Sequence, residues 1–282
     1  TIITMNQNAK FFSVLFAIFL LAGSLFAQEE TTNEESPWSV GADFVSRYIW
    51  RGVNLGGSSP SVQPYLEYGF GTDDHSFAIG AWGAYSLSGS QTGQEADLYI
   101  SYTLKEMFSL TFTDYFFPDE TVGRNKYFNY NMDWDKINSG EEEQTGHVVE
   151  AALSFNGTDK IPVSFMFAMN IWGADSRKYT DNAGVMVPED KIVMSKYMEL
   201  GYSTDVKGVA VDVFAGMTLD NPEIAKGEPE GFYGQRSAGI INLGFSLSKE
   251  VKITDNYSLP IFGSLITNPE AENIFMVFGV SF

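Results

Sequence analysis

"ADLYISYTLKEMFSLTFT", residues 96–113, holds two alternating segments separated by three residues. In the first, Ala96, Leu98, Ile100, Tyr102 and Leu104 share one face, while Asp97, Tyr99, Ser101 and Thr103 share the other. In the second, Phe108, Leu110 and Phe112 oppose Ser109, Thr111 and Thr113. Strand side chains point alternately to two faces, so a period of two predicts an antiparallel pair joined by the short turn "KEM". One face of that pair is continuously apolar and the other polar.

The pattern recurs in both directions along the chain. "PVSFMFAMNIW" (162–172) sets Val163, Phe165, Phe167, Met169 and Ile171 against Ser164, Met166, Ala168 and Asn170. "GVAVDVFAGMTL" (208–219) opposes a run of valines to Asp212, and "IINLGFSLS" (240–248) places Ile241, Leu243, Phe245 and Leu247 on one side. "NIFMVFGVSF" (273–282) aligns Ile274, Met276, Phe278, Val280 and Phe282. Twelve such segments are predicted, near 38–52, 60–70, 76–87, 95–104, 107–116, 146–155, 162–172, 193–204, 208–219, 238–248, 257–267 and 273–282. Short turns such as "GTDDH" and "DVKG" follow even-numbered strands, and "KEVKITDN" is a longer one. Several odd-numbered strands lead into long polar loops, near 117–145, 173–192 and 220–237.

An even number of strands of about ten residues, with short turns at one end and long loops at the other, predicts an outer-membrane barrel. Closure is required because an open sheet edge would leave backbone groups unsatisfied in hydrocarbon. A secreted β-sandwich also alternates, but its strands are usually only five or six residues long. A mean hydropathy of −0.09 and an aromatic content of 15% agree with half-polar strands flanked by aromatic girdles. The expected fold is therefore all-β: a transmembrane antiparallel up-and-down β-barrel of 12 strands over residues 38–282, in the bacterial outer membrane.

The start of the chain agrees. Lys10 precedes the apolar run "FFSVLFAIFLLAGSLFA", which ends at Ala27 and gives way to "QEETTNEES". A basic residue, an apolar run and a small residue before a polar stretch predict a cleavable signal peptide over 1–27, with Met5 as its start. A short polar segment, 28–37, follows it. There is no cysteine, which excludes disulfides, thiolate metal sites and a lipidated cysteine. His75 and His147 are the only imidazoles. The formal charge of −19 becomes −20 once Lys10 is removed, and such acidity argues against nucleic-acid binding.

"SRYIWRG" (46–52) poses a sharper problem. Continued as a strand, it puts Tyr48 and Trp50 on the lipid face with Trp38, Val40, Ala42 and Phe44. Arg47 and Arg51 then fall on the lumen face with Asp43, Val45 and Ile49. A lipid-facing arginine costs about 2–4 kcal/mol near the midplane, which favours this parity. The same rule sends Glu67, Asp97, Glu150, Glu199 and Asp212 into the lumen as counter-charges. Paired across the interior, these groups either brace a narrow barrel or form a constriction that sorts solutes by charge.

Residues 40–104 resemble the opening of the TorF-type porins, the Gcw_chp family of bacterial outer-membrane proteins. The shared pattern, S-x-Y-x-x-R-G, then a proline-containing loop, a strand and G-x-W, corresponds to Ser46, Tyr48, Arg51, Gly52, Pro60, Gly80 and Trp82. The loop "VNLGGSSP" and the additional Arg47 depart from that pattern. The resemblance implies an outer-membrane barrel of porin type and says little about its solute. Phe282 with Val280 resembles the signal read by the barrel-assembly machinery, although Val277 stands where that signal carries glycine.

The expected function is a porin-like channel for passive passage of small solutes, in contact with outer-membrane lipid and lipopolysaccharide. The alternative is a non-conducting binding barrel whose long loops engage a partner or lipopolysaccharide. An outer-membrane enzyme would need a nucleophile or water held by a histidine and an acid. His75 lies in a periplasmic turn, and no serine motif accompanies His147. Asp133, Asp135 and Glu141–Glu143 offer oxygen ligands of the kind Ca²⁺ takes but lack an ordered spacing, so neither metal nor cofactor is expected.

Overall fold

The computed structural model describes residues 36–88, 93–118, 126–180, 186–255 and 257–282. The expected leader, 1–27, and all but the end of segment 28–37 lie outside the described residues, as do parts of the loops 117–145 and 173–192. From Pro37 to Phe282 the chain forms one unit.

Twelve strands build it: β1 (Trp38–Val45), β2 (Ser61–Gly71), β3 (His75–Ser86), β4 (Glu95–Leu104), β5 (Phe108–Phe116), β6 (His147–Phe155), β7 (Val163–Gly173), β8 (Lys196–Asp205), β9 (Ala210–Thr218), β10 (Gly239–Thr254), β11 (Tyr257–Asn268) and β12 (Asn273–Ser281). Each pairs antiparallel with its sequence neighbours, and β1 pairs β12, so the barrel is closed. The closing seam is short: Asp43, Phe44 and Val45 face Ser281, Val280 and Gly279. Ala42 and Phe282 extend it by exchanging backbone hydrogen bonds of 3.2 and 3.0 Å.

The alternation read in the sequence sorts outer face from interior. Leu98 and Ile100 on β4, Phe112 on β5 and Met276 on β12 are 40–63% exposed, while their odd-numbered neighbours turn inward. On β12 the interior residues are Phe275 and Val277, packed with Val45 of β1. Ile241 departs from expectation. The pairing of β9 with β10 shifts between Gly216 and Met217, and the bulge turns Ile241 inside, fully buried, while Ile240 takes the outward position. A second bulge between Val149 and Glu150 distorts the β6–β7 pairing.

Two further differences concern the ends of strands. "KEVKITDN" is mostly strand, because β10 runs to Thr254 and pairs β11 as a long hairpin. The first strand stops at Val45 instead of continuing to 52. Of the long loops, residues 126–145 include the short helix α1 (Trp134–Ser139), capped by Asp133, whose Oδ1 accepts from the Asp135 and Lys136 amides. Residues 176–192 include a ribbon in which Ser176–Thr180 pairs Met186–Ile192.

Candidate functional site

After Val45 the chain leaves the wall and turns into the barrel. Ser46 fastens the departure to β12: its amide donates to the Phe278 carbonyl at 2.8 Å, and its Oγ accepts from the Phe278 amide at 3.0 Å. Ile49–Trp50 then pairs Val53–Asn54 as a miniature hairpin with Arg51 and Gly52 at its tip. Both tip residues have positive φ, 49° and 77°. That left-handed pair is what a two-residue hairpin needs to match the right-handed twist of its strands. The tip also touches the wall at β10 and the end of β11. A Cβ on Gly52 would strike the Ile241 carbonyl, and Asn268 Nδ2 donates to the Gly52 carbonyl at 3.2 Å.

Tyr48 and Trp50 therefore do not face lipid. Tyr48 is 4% exposed, and its hydroxyl donates to Glu95 Oε2 at 2.6 Å. Trp50 lies among aromatic rings, with centroids 5.5 Å from Tyr115 and 5.6 Å from Tyr233. The assignment of Tyr48 and Trp50 to the lipid face fails because the strand it continues has ended. In a hairpin within the lumen, the walls surround every side chain.

Arg51 points into the barrel, delivered by a hairpin tip and not by a strand face. Its Nη2 donates to Glu150 Oε1 at 2.8 Å and its Nη1 to Oε2 at 2.5 Å, a bidentate pair. Nη1 also donates to the Tyr233 hydroxyl at 3.1 Å, and Tyr115 donates to Glu150 at 3.1 Å. The guanidinium stands 4.6 Å from the ring centroids of both Trp50 and Tyr197, a geometry that adds cation–π attraction. Side-chain exposures of 9% for Arg51 and 2% for Glu150 place the pair out of solvent. Tyr233 reaches it from the loop after β9, where the Tyr233 amide donates to Gln235 Oε1 at 3.0 Å.

These groups form a septum inside the barrel, and a cavity lies against each side. One, of about 380 Å³, reaches deeper and is bordered by Arg47, Trp50, Trp82, Asp97, Ser264 and Val277. The other, of about 300 Å³, lies toward the long loops and is bordered by Val148, Asp175, Arg177, Ser195, Phe232 and Gln235. Trp50 borders the first and Phe232 the second, with their rings 6.3 Å apart. Asp175 accepts from the Ser195 amide and hydroxyl at 2.7 Å each, and burial pushes its carboxyl above the usual range.

The other sequence-selected acids face the interior without an ion pair among the described residues. Tyr99 donates to Glu67 at 2.7 Å, Tyr197 and Asn242 to Glu199, and Ser203 to Asp212 at 2.6 Å. Asp43 sits opposite in parity to the exposed Phe44. Of the expected counter-charges only Glu150 meets an arginine, so hydroxyl and amide donors take the place of a salt-bridge ladder.

The remaining motif residues have local roles. Trp82 neighbours Asp97 across the β3–β4 pairing and lies 5.6 Å from the Tyr48 ring. Gly80 is flanked by Glu67 and Tyr99, and a Cβ there would run into the Tyr99 ring that crosses it to reach Glu67. The Pro60 carbonyl accepts from the Leu87 amide at 2.9 Å as β2 begins.

Sequence reading missed Glu95, Tyr115, Tyr197, Tyr233 and Asn242. Glu95 was recoverable from its shared parity with Asp97. Tyr233 sits in "GFYGQ", an aromatic pair between glycines within a polar loop, a weaker signal.

His147 is fully buried where β6 begins. Its Nδ1 lies 2.9 Å from Asp114 Oδ1, and its Nε2 donates to the Tyr127 carbonyl at 2.6 Å. Both nitrogens are occupied in holding the loop over the wall. Asp133 serves as a helix cap and Glu142 pairs with Lys136 at 2.7 Å. Among the described residues no group of three or more histidines and acids is arranged to hold a metal.

No family model matches the chain, and no curated protein matches it. Several solved membrane barrels are similar over most of their length. The NanC porin shares 8% identity, with 86% of this chain and 98% of that chain covered at a TM-score of 0.41. An outer membrane channel from Pseudomonas putida F1 shares 10%, with 90% and 98% covered at 0.45. The beta domain of the Bordetella autotransporter BrkA shares 11%, with 87% and 98% covered at 0.31.

Proposed function

We propose that the protein is an outer-membrane channel of porin type for small solutes, constricted by the hairpin at residues 49–54. The closed barrel with its apolar exterior supports a place in the outer membrane. The observation that carries the channel reading is the Arg51–Glu150 pair, held on a hairpin tip within the lumen and flanked by a cavity on each side. Fixed charges at the narrowest point of a pore sort solutes by sign. Glu67, Glu199 and Asp212 leave the interior acidic, so cations pass in preference to anions. The motif at Ser46, Tyr48, Arg51 and Gly52 supports kinship with the TorF-type porins. Planar-bilayer recordings test the reading: discrete conductance steps with cation selectivity support it, and a folded but electrically silent barrel refutes it.

A second reading is a binding barrel that does not conduct. The burial of Arg51 and Glu150 favours it, since a pair shielded from water marks a closed cross-section. A silent wild type whose conductance stays absent after Arg51→Ala supports this alternative.

A further inference from the structure

We propose that the deeper cavity is a binding site for a small zwitterion, a molecule carrying one ammonium and one carboxylate group beside a modest apolar body. The proposal deepens the channel reading by naming a solute class, and it rests on that reading for its physiological use only. Two ionisable groups of opposite sign border this cavity, and neither forms an ion pair among the described residues. Asp97 is 5% exposed, and its Oδ1 is buried without a hydrogen-bond partner. Its neighbour on the same face, Glu95, is 2% exposed, accepts from the Tyr48 hydroxyl and lies in hydrogen-bond contact with the other oxygen of Asp97, so two carboxyls are buried side by side. Arg47 forms no ion pair among the described residues, and its guanidinium lies 5.8 Å over the Phe275 ring.

Buried charge is stable only when paired, so two adjoining buried carboxyls with no cation beside them call for one. Arg47 borders the same space yet lies beyond ion-pair distance of these acids. A ligand that serves both needs two opposite charges separated by a short span. The surfaces between them match the rest of such a molecule. Trp50 and Trp82 bring to the lining the aromatic rings that attract an ammonium group, while Val45, Phe262, Ile266 and Val277 offer apolar contact. A volume of about 380 Å³ accommodates an α-amino acid with an aliphatic side chain.

The test is isothermal titration calorimetry on the full chain, folded in detergent, with three probes of nearly one shape. L-leucine carries both charges, L-leucine methyl ester lacks the carboxylate, and 4-methylpentanoate lacks the ammonium. The proposal expects saturable L-leucine binding that weakens at least tenfold for each single-charge probe. Asp97→Asn should abolish the advantage over 4-methylpentanoate, and Arg47→Gln the advantage over the ester. Heat-modifiable migration on a gel confirms that each variant is folded. Equal binding of the ester and L-leucine overturns the zwitterion assignment in favour of a simple cation site. Absence of binding by any probe to folded wild type overturns it outright. Binding is read without conduction, so binding with a silent barrel would refute the channel and leave the site standing.

Discussion

Arg51 holds a left-handed backbone conformation, uncommon for a residue with a side chain and strained by about 1–3 kcal/mol. Its tip geometry and bidentate bond to Glu150 keep it there. Because the pair is buried, removing one partner strands the other. Arg51→Ala is expected to lower unfolding stability by about 3–5 kcal/mol in detergent. The double variant Arg51→Leu/Glu150→Leu should lose much less than the two single changes combined, and a double-mutant cycle in urea measures that coupling. Additive losses would mean that the two side chains act independently. Gly80 makes a separate prediction. Valine there forces Tyr99 off Glu67, lowering the unfolding free energy by roughly 1–3 kcal/mol, whereas an unchanged urea midpoint would show that the crossing is dispensable.

The strands were legible because each binary choice of face is repeated four or five times along one element. Ile100 and Ser101 show how firmly the pattern fixes orientation. Ile100 is 48% exposed on the outside, while the Ser101 hydroxyl lies 2.8 Å from Thr111 on the inside. Arginine at 100 should therefore lower folding stability in lipid vesicles by about 2–4 kcal/mol, and arginine at 101 by far less. Equal losses would contradict the assigned faces. The end of β1 was not legible, because "SRYIWR" keeps the aromatic and β-branched content of a strand after leaving the wall. Bulges are equally quiet in a sequence, so Ile241 read as outward although one extra residue in the pairing turns it in.

At the scale of the whole molecule, the candidate site is assembled from distant parts of the chain. Arg51 meets Glu150 across 99 residues and Tyr233 across 182. No local pattern encodes such meetings; they follow from closure, which brings β6 and the loop after β9 around the same hairpin. The choice of Glu150 as the arginine's partner therefore needed the fold, because parity along a strand names a face and not a partner across the barrel. In the proposed channel, the hairpin constricts the lumen.

Single-channel conductance of the wild type beside Arg51→Ala and Glu150→Gln, all verified as folded by heat-modifiable migration, tests that claim most directly. The account predicts small, cation-selective steps for the wild type and several-fold larger steps with altered selectivity for both variants. Identical conductance and selectivity in all three would contradict a constriction at the septum and move the permeation path elsewhere.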